Sequence, residues 1–391
     1  MLQRKLKICH LITRMIVGGA QENTLFSCRG QVEAGHSVTL VTGQSHGPEG
    51  KLLEKQHVPD LNIVEVNSLQ REINPLKDYK AYRELKKFFK DQQFDVVHTH
   101  SSKAGIVGRA AAWAAKTPVI VHTVHGPAFH RYEKAWRNKL FILAEKFAAK
   151  RCHKIVCVAD AMTEQFLTAG VSNVEHFQTV YSGMNLDDYL SLNNDQSMRT
   201  QLDIPEGAVV IGKIARLFEL KGHEFLIKAA RKIIKDFPHV HFLWLGDGNL
   251  KEQLLSDIKL YGLERHFHLP GLISPEEVPS YIELMDIVCH LSLREGLPRA
   301  VVQGLAAEKP AVTYHLDGAP EVVINGHTGF TCPAETIDEV IVALSKLIES
   351  EKLRQDLGRN GRELVRGRFN WTKMCGDLEA LYYKVLDTKK H

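Results

Sequence analysis

The stretch Ser292-Leu-Arg-Glu295-Gly296-Leu297-Pro298-Arg-Ala-Val-Val-Gln303-Gly-Leu-Ala-Ala-Glu-Lys-Pro310 decides how the chain is read. Before it, an apolar run over 287–293 predicts a buried strand. After it, Ala300, Val301, Gly304 and Leu305 recur at helical spacing. Pro298 is expected at the first helical position, where a missing N–H costs nothing. Glu295-Gly296-Leu297 then becomes a strand-to-helix turn with bare amides beneath it, a natural seat for an anion. Glu295 stands beside that seat and only accepts hydrogen bonds when ionised, which suits a hydroxyl-rich ligand. An anion next to hydroxyls describes a sugar phosphate. Taken alone, the turn reads equally well as an ordinary surface turn.

The rest of the second half repeats the pattern. Strands are predicted over 209–215, 240–245, 267–270 and 311–314, with helices over 223–234 and 250–261. Ser274 with Glu277 reads as a capping box, and Gly318-Ala-Pro320-Glu321 as the opening of another helix. The loops at the carboxyl ends of the strands carry Arg216 to Lys221-Gly222, Gly246-Asp-Gly248, Gly271-Leu272 and Glu295 to Pro298.

The first half has the same grammar. Strands are predicted over 7–12, 38–42, 61–66, 94–100, 119–124 and 154–159. A helix over 76–89 should turn Tyr79, Tyr82, Leu85, Phe88 and Phe89 to one face. Strands alternating with helices imply a parallel sheet covered on both faces, with ligands at the carboxyl ends of its strands. Gly18-Gly19, His100 and His125-Gly126 all fall at such ends. The paired glycines are not a G-x-G-x-x-G and lack the acidic residue a dinucleotide ribose requires, so a dehydrogenase is set aside. His98, His100, His122, His125 and His130 match no zinc spacing, so no metal is expected, and His98 and His122 read as core or supporting histidines. The segment 129–141 interleaves Arg131, Lys134, Arg137 and Lys139 with Phe129, Tyr132, Trp136 and Phe141. It suits a membrane-surface or acceptor-binding helix, or equally a solvated helix whose aromatics fold into the core.

With 391 residues the chain has room for two domains, and its composition is that of an ordinary globular protein, 44% hydrophobic and 25% charged. A net charge of +4 does not point to nucleic acid. Seven cysteines without a C-x-x-C indicate neither a disulfide framework nor a zinc knuckle, and fit reduced thiols in a cytoplasmic protein. No signal peptide or membrane span is expected; contact with a membrane would be peripheral, at its inner face. The polar stretch 186–205, with Asn193-Asn194-Asp195, reads as a hinge. Domains are therefore placed at 1–185 and 186–368. The helical tail 369–391, after the break at Phe369-Asn370-Trp371, is expected to cross back to the first domain.

Together Gly18-Gly19-Ala20-Gln21, His125-Gly126, Arg216 with Lys221-Gly222, Gly246-x-Gly248, Glu295-Gly296-Leu297-Pro298 and Gly318-x-Pro320-Glu321 resemble the family 4 retaining glycosyltransferases of the GT-B fold. The resemblance covers nearly the whole chain. It implies two Rossmann-like domains facing each other across a cleft, with acceptor on the N-terminal side and nucleotide sugar on the other. It implies that Arg216 and Lys221 grip the donor diphosphate in place of a metal, that Glu295 holds sugar hydroxyls, and that His125 lies by the reacting carbon. Gly18, Gly19, Gly246, Gly248, Gly271, Leu272, Gly296, Leu297 and Pro298 would line the donor. The implied activity is transfer, with retention, from a nucleotide-diphosphate sugar, by default a UDP-sugar, to a sugar or lipid-linked hydroxyl in polysaccharide synthesis. No cofactor is implied. One position departs from the family: Gln303 stands where a second glutamate usually bonds the ribose, and a neutral amide bonds less strongly. A sugar-nucleotide epimerase on the same fold lacks its catalytic carboxylates here. A non-catalytic sugar-nucleotide-binding subunit has only Gln303 in its favour.

Overall fold

The computed structural model describes residues 4–44, 52–191 and 197–388; Asn193-Asn194-Asp195 of the expected hinge lies outside them. The chain divides into two compact units, Met1–Met184 with Phe369–His391, and Asn185–Arg368.

The first unit is built on seven strands: β1 (Lys7–Ile12), β2 (Ser37–Thr42), β3 (Asn62–Glu65), β4 (Val96–His100), β5 (Val119–Val124), β6 (Lys154–Cys157) and β7 (Phe177–Thr179). They pair in parallel in the order β3-β2-β1-β4-β5-β6-β7. β4 and β5 are buried along their whole length, as expected of a parallel sheet with both faces covered. Strand order reverses between β1 and β4, where the connections leave on opposite faces and open a crevice. The helix Trp371–Asp387 completes this unit. Asn370 caps it, accepting from the Thr372 amide at 2.8 Å, and Met374, Leu378, Leu381 and Tyr382 pack with Leu6, Ile8, Phe26 and Val96. A buried pair, Arg109 with Glu145 at 2.7 Å, ties two flanking helices together.

The second unit holds β8 (Val209–Ile214), β9 (Val240–Leu245), β10 (Phe267–Gly271), β11 (Ile287–His290), β12 (Ala311–Tyr314) and β13 (Gly329–Cys332). Their order is β10-β9-β8-β11-β12-β13, again parallel, with the reversal between β8 and β11. Phe242 and Phe267 stack at 4.7 Å in a core that also contains Trp244, Leu226 and Leu344.

Several expectations are corrected. The helix Pro75–Gln92 buries Ala81, Leu85 and Phe89, but Tyr79 is 61% exposed and stacks on Tyr82 instead of entering the core. Pro298 caps the helix Arg299–Ala306 and is not its first residue. Ser274 and Glu277 bond each other side chain to side chain at 2.6 Å and close a turn; the helix begins only at Val278. Ala319–Glu321 is a single 3₁₀ turn, because Val322 and Val323 bond back to Ala319 and the chain then leaves for β13. In the helix Ala135–Ala149, Trp136, Leu140, Leu143 and Phe147 are exposed; of the segment's aromatics only Phe129 is fully buried.

Candidate active site

In the second unit the site forms where the strand order reverses. The loop after β8 carries Arg216 to Lys221, and the loop after β11 carries Glu295. Gly222 lets the two meet. It has φ of +66°, and a Cβ there would fall 1.9 Å from the Leu291 carbonyl oxygen. The Leu293 amide and the Ser292 hydroxyl both donate to the Leu220 carbonyl, at 2.8 and 3.1 Å, and sew the loops together. Lys221 Nζ then lies 2.5 Å from Glu295 Oε1. His290 Nε2 donates to the same oxygen at 3.0 Å, and the Glu295 amide donates to Asp317 Oδ2 at 2.8 Å. That amide was expected bare; Asp317 takes it.

Burial alone would push the carboxyl of Glu295 above its ordinary pKa, but Lys221 and then the His290 bond outweigh it and hold the carboxyl well below the usual range. Behind them Lys213, buried on β8, donates to the Lys221 carbonyl at 2.8 Å, and burial pushes its ammonium down to about 8. His223 donates to the Arg216 carbonyl at 3.0 Å; burial, then Lys213, pushes its imidazole down to about 3. A buried ammonium and an uncharged imidazole thus fix the backbone carbonyls of Lys221 and Arg216. Arg216 is exposed, its guanidinium 5.1 Å over the Phe218 ring.

The neighbouring loops are drawn in behind. A Cβ at Gly246 would meet the Ala215 oxygen at 2.0 Å, and one at Gly248 the Leu217 oxygen at 2.4 Å. These glycines therefore serve loop-on-loop packing. Gly246 donates to the Gly271 carbonyl at 2.8 Å, and Leu272 beside it is 67% exposed. Gly296 is half-buried and Leu297 and Pro298 are buried at the helix start. Gln303, on that helix, donates to the Tyr189 hydroxyl at 2.9 Å.

In the first unit Gly18 caps the helix Gly19–Glu33 directly after β1. His125 follows β5 and lies 3.1 Å from His100, Nε2 to Nδ1. His98 and His100 share a face of β4, their rings stacked at 4.3 Å. His98 is bonded by Tyr382 and Thr123, and His122 by Thr99. His10, His98 and His100 bring nitrogens within 4.8 Å of one another, the spacing of a metal site. All six of their ring nitrogens are already in hydrogen bonds, so a metal would have to break that set.

Sequence reasoning missed His290, Asp317, Lys213 and Tyr189. His290 carried a usable signal: it ends the strand that leads into the decisive turn. The others are placed by contacts distant in sequence.

Comparisons with known proteins follow the same division. A family model described as glycosyl transferase 4-like domain matches residues 18–177, and one described as glycosyl transferases group 1 matches 194–364. The chain is 26% identical over 389 residues to the UDP-Gal:alpha-D-GlcNAc-diphosphoundecaprenol alpha-1,3-galactosyltransferase of Escherichia coli, covering 98% of each. It is 24% identical to the capsular polysaccharide biosynthesis glycosyltransferase CapM of Staphylococcus aureus, covering 97% of each. Among solved structures, Anabaena Alr3699/HepE in complex with UDP superposes with a TM-score of 0.81 at 21% identity, over 97% of this chain and 100% of that one. Sucrose-phosphate synthase of Thermosynechococcus elongatus gives 0.83 at 19%, over 98% and 100%. With two parallel sheets, a family match in each half and full-length glycosyltransferase relatives, the chain belongs to the family 4 glycosyltransferases of the GT-B fold.

Proposed function

We propose that this glycosyltransferase moves a hexose from a UDP-sugar to a hydroxyl of a lipid-linked sugar, with retention of configuration and without a metal ion. The observation that carries the reading is the Lys221–Glu295–His290 cluster at the strand reversal of the second unit. It puts a cation and a carboxylate side by side at a helix start, as a diphosphate attached to a polyol requires. Lys221 and Arg216 take the charge that builds on the departing diphosphate, aided by the turn at Gly296-Leu297-Pro298. Both bonds to Glu295 fall on Oε1, which leaves Oε2 for sugar hydroxyls. His125 bonds the sugar near the reacting carbon. As the bond from sugar to phosphate breaks, the acceptor oxygen bonds the same face of the carbon and its proton passes to the leaving phosphate. No second carboxylate is needed, unlike in the two-carboxylate hydrolases.

A UDP donor is supported by the relative whose name specifies UDP-Gal and by the fold neighbour holding UDP. A lipid-linked acceptor is supported by the same relative's diphosphoundecaprenol substrate and by the helix Ala135–Ala149. There Trp136, Leu140, Leu143 and Phe147 form one exposed stripe at helical spacing, with Lys139 and Lys150 beside it. Such a face suits an anionic bilayer surface. Among the described residues no helix is long and apolar enough to cross one.

The test is direct. UDP-galactose, UDP-glucose and UDP-N-acetylglucosamine are screened for thermal stabilisation. They are then incubated with a prenyl-diphosphate-linked N-acetylglucosamine, with and without chelator. An α-linked product from a stabilising donor, formed at equal rate in chelator, is expected. Loss of activity in chelator, a β-linked product, or interconversion of the sugars would overturn the reading.

A further inference from the structure

The first unit contains a continuous line of hydrogen bonds, mostly buried, that reaches His125. His10 Nε2 lies 2.7 Å from Gln31 Oε1, and His10 Nδ1 lies 2.9 Å from His100 Nε2. His100 Nδ1 lies 3.1 Å from His125 Nε2. In the other direction Gln31 Nε2 lies 3.2 Å from the Tyr382 hydroxyl, which lies 2.5 Å from His98 Nδ1. His98 Nε2 ends the line on Thr123 Oγ1 at 2.7 Å. His10, His98 and His100 are fully buried. Burial pushes His10 down to about 4 and His98 and His100 well below the ordinary imidazole value, so at neutral pH each carries one N–H and one lone pair.

A neutral imidazole passes polarity along. If one nitrogen must donate, the other must accept. The amide of Gln31 is the only member whose two ends have fixed and opposite character. Its oxygen accepts from His10 Nε2–H, so His10 Nδ1 accepts from His100 Nε2–H, and His100 Nδ1 accepts from His125 Nε2–H. Its NH₂ donates to Tyr382, whose proton goes to His98, which donates to Thr123. Turning the amide by half a rotation would reverse every bond in the line.

We infer that Gln31 is a positioning residue: acting through His10 and His100, it sets the tautomer of His125, placing the proton on Nε2 and making Nδ1 the acceptor. An acceptor nitrogen takes a hydrogen bond from a sugar hydroxyl and turns electron density, not an N–H dipole, toward a carbon that gains positive charge. The inference rests on the reading of His125 given under the proposed function, but the tautomer itself can be measured without substrate.

The experiment uses full-length protein labelled with ¹⁵N-histidine, the His125 signals being identified by their loss in His125→Asn. A proton-bearing Nε2 and a pyridine-type Nδ1 at His125, in the resting protein, are expected; a proton on Nδ1 overturns the inference. Gln31→Met removes the fixed ends and should give mixed His125 tautomers. Its kcat for UDP release from UDP-glucose or UDP-galactose should fall at least about tenfold with KM unchanged; a wrong histidine tautomer can cost up to about 10⁴. Gln31→Glu, whose carboxylate still accepts from His10, should restore both tautomer and kcat. Gln31→Met with an unchanged tautomer, or with mixed tautomers and full kcat, overturns the positioning role. If Gln31→Met does not fold, the wild-type and Gln31→Glu spectra decide alone. Full activity of His125→Asn would instead remove the role of His125 and leave the tautomer order standing.

Discussion

Lys221 and Glu295, 74 residues apart in the chain, share an ion pair of 2.5 Å in which neither side chain is fully buried. On the proposed function the pair is half of a binding site closed on itself. A donor bound as proposed would compete for the ammonium through its diphosphate, while its sugar could take Glu295 Oε2 without displacing either bond on Oε1.

Lys221→Ala should therefore lower transfer by about 10²–10³-fold in kcat, the scale for losing one preorganised contact to developing charge. Its circular dichroism should be unchanged, because the Lys221 side chain serves no core. Full turnover by this variant would remove the leaving-group role.

The same pair gives a pH signature. The carboxyl of Glu295 titrates lower in the folded state than its ordinary 4.5, so the unfolded state binds more protons there. Its stabilisation is complete above about pH 5 and is lost as the pH falls through 4.5 toward the folded value. In Lys221→Ala the main cause of the depression is gone. Acid should then remove less stability from the variant than from the wild type. Equal slopes of melting temperature against pH between 5 and 3 would contradict this.

Gly222→Ala puts a methyl group into the Leu291 carbonyl at a left-handed backbone position. A loss of about 1–3 kcal/mol is expected from the strain, read by urea unfolding. Turnover should drop with it, because the clash moves Lys221 away from Glu295. A variant as stable and active as wild type would show that the two loops need not touch.

Gln303 presents its NH₂ to Tyr189. Gln303→Glu keeps that contact with the donor reversed, since the tyrosine hydroxyl can donate to the carboxylate. Calorimetry with UDP should show binding tightened about fivefold, roughly 1 kcal/mol for making one bond charge-assisted. Unchanged affinity would mean that position 303 serves Tyr189 and not the ribose.

The exposed stripe on the helix Ala135–Ala149 should bind vesicles containing anionic lipid. Leu143→Asp, which sets a charge in its middle, should weaken that binding at least about tenfold, given roughly 1.5–3 kcal/mol for one buried leucine. Activity on a soluble acceptor should not change. Binding that survives both Leu143→Asp and high salt would assign the stripe another partner.

Much of the fold was legible because parallel strands buried on both faces leave largely apolar runs, as at Val119–Val124 and Ile287–His290, and even β4, which carries His98 and His100, opens on Val96-Val97. The decisive turn was legible because a glycine and a proline follow closely on an apolar run, although the strand ends at His290 and not at 293. Local rules failed where a distant contact overrode them. Ser274 spends its hydroxyl on Glu277 and not on a helix amide, and the run after Gly318 is pulled into a short turn by β13. The helix start at Pro298 was offset by one residue, the ordinary error of reading a boundary from composition. Asp317 could not be found, since nothing near it announces that it meets the Glu295 amide. Gln31 and Tyr382 stand 351 residues apart and look like an ordinary helix glutamine and a core tyrosine until the two helices are laid together.

The helix Trp371–Asp387 belongs to the first unit but follows the second in the chain. Until residues past 371 leave the ribosome, the cluster of Leu6, Ile8, Phe26 and Val96 lacks Met374, Leu378, Leu381 and Tyr382 and His98 lacks its tyrosine, while the second unit already has all its strands. The later half is therefore expected to mature ahead of the earlier one, against the order of translation. A chain stopped at residue 368 should keep a protease-resistant core from 197 to 368 and lose residues 4–184 to digestion.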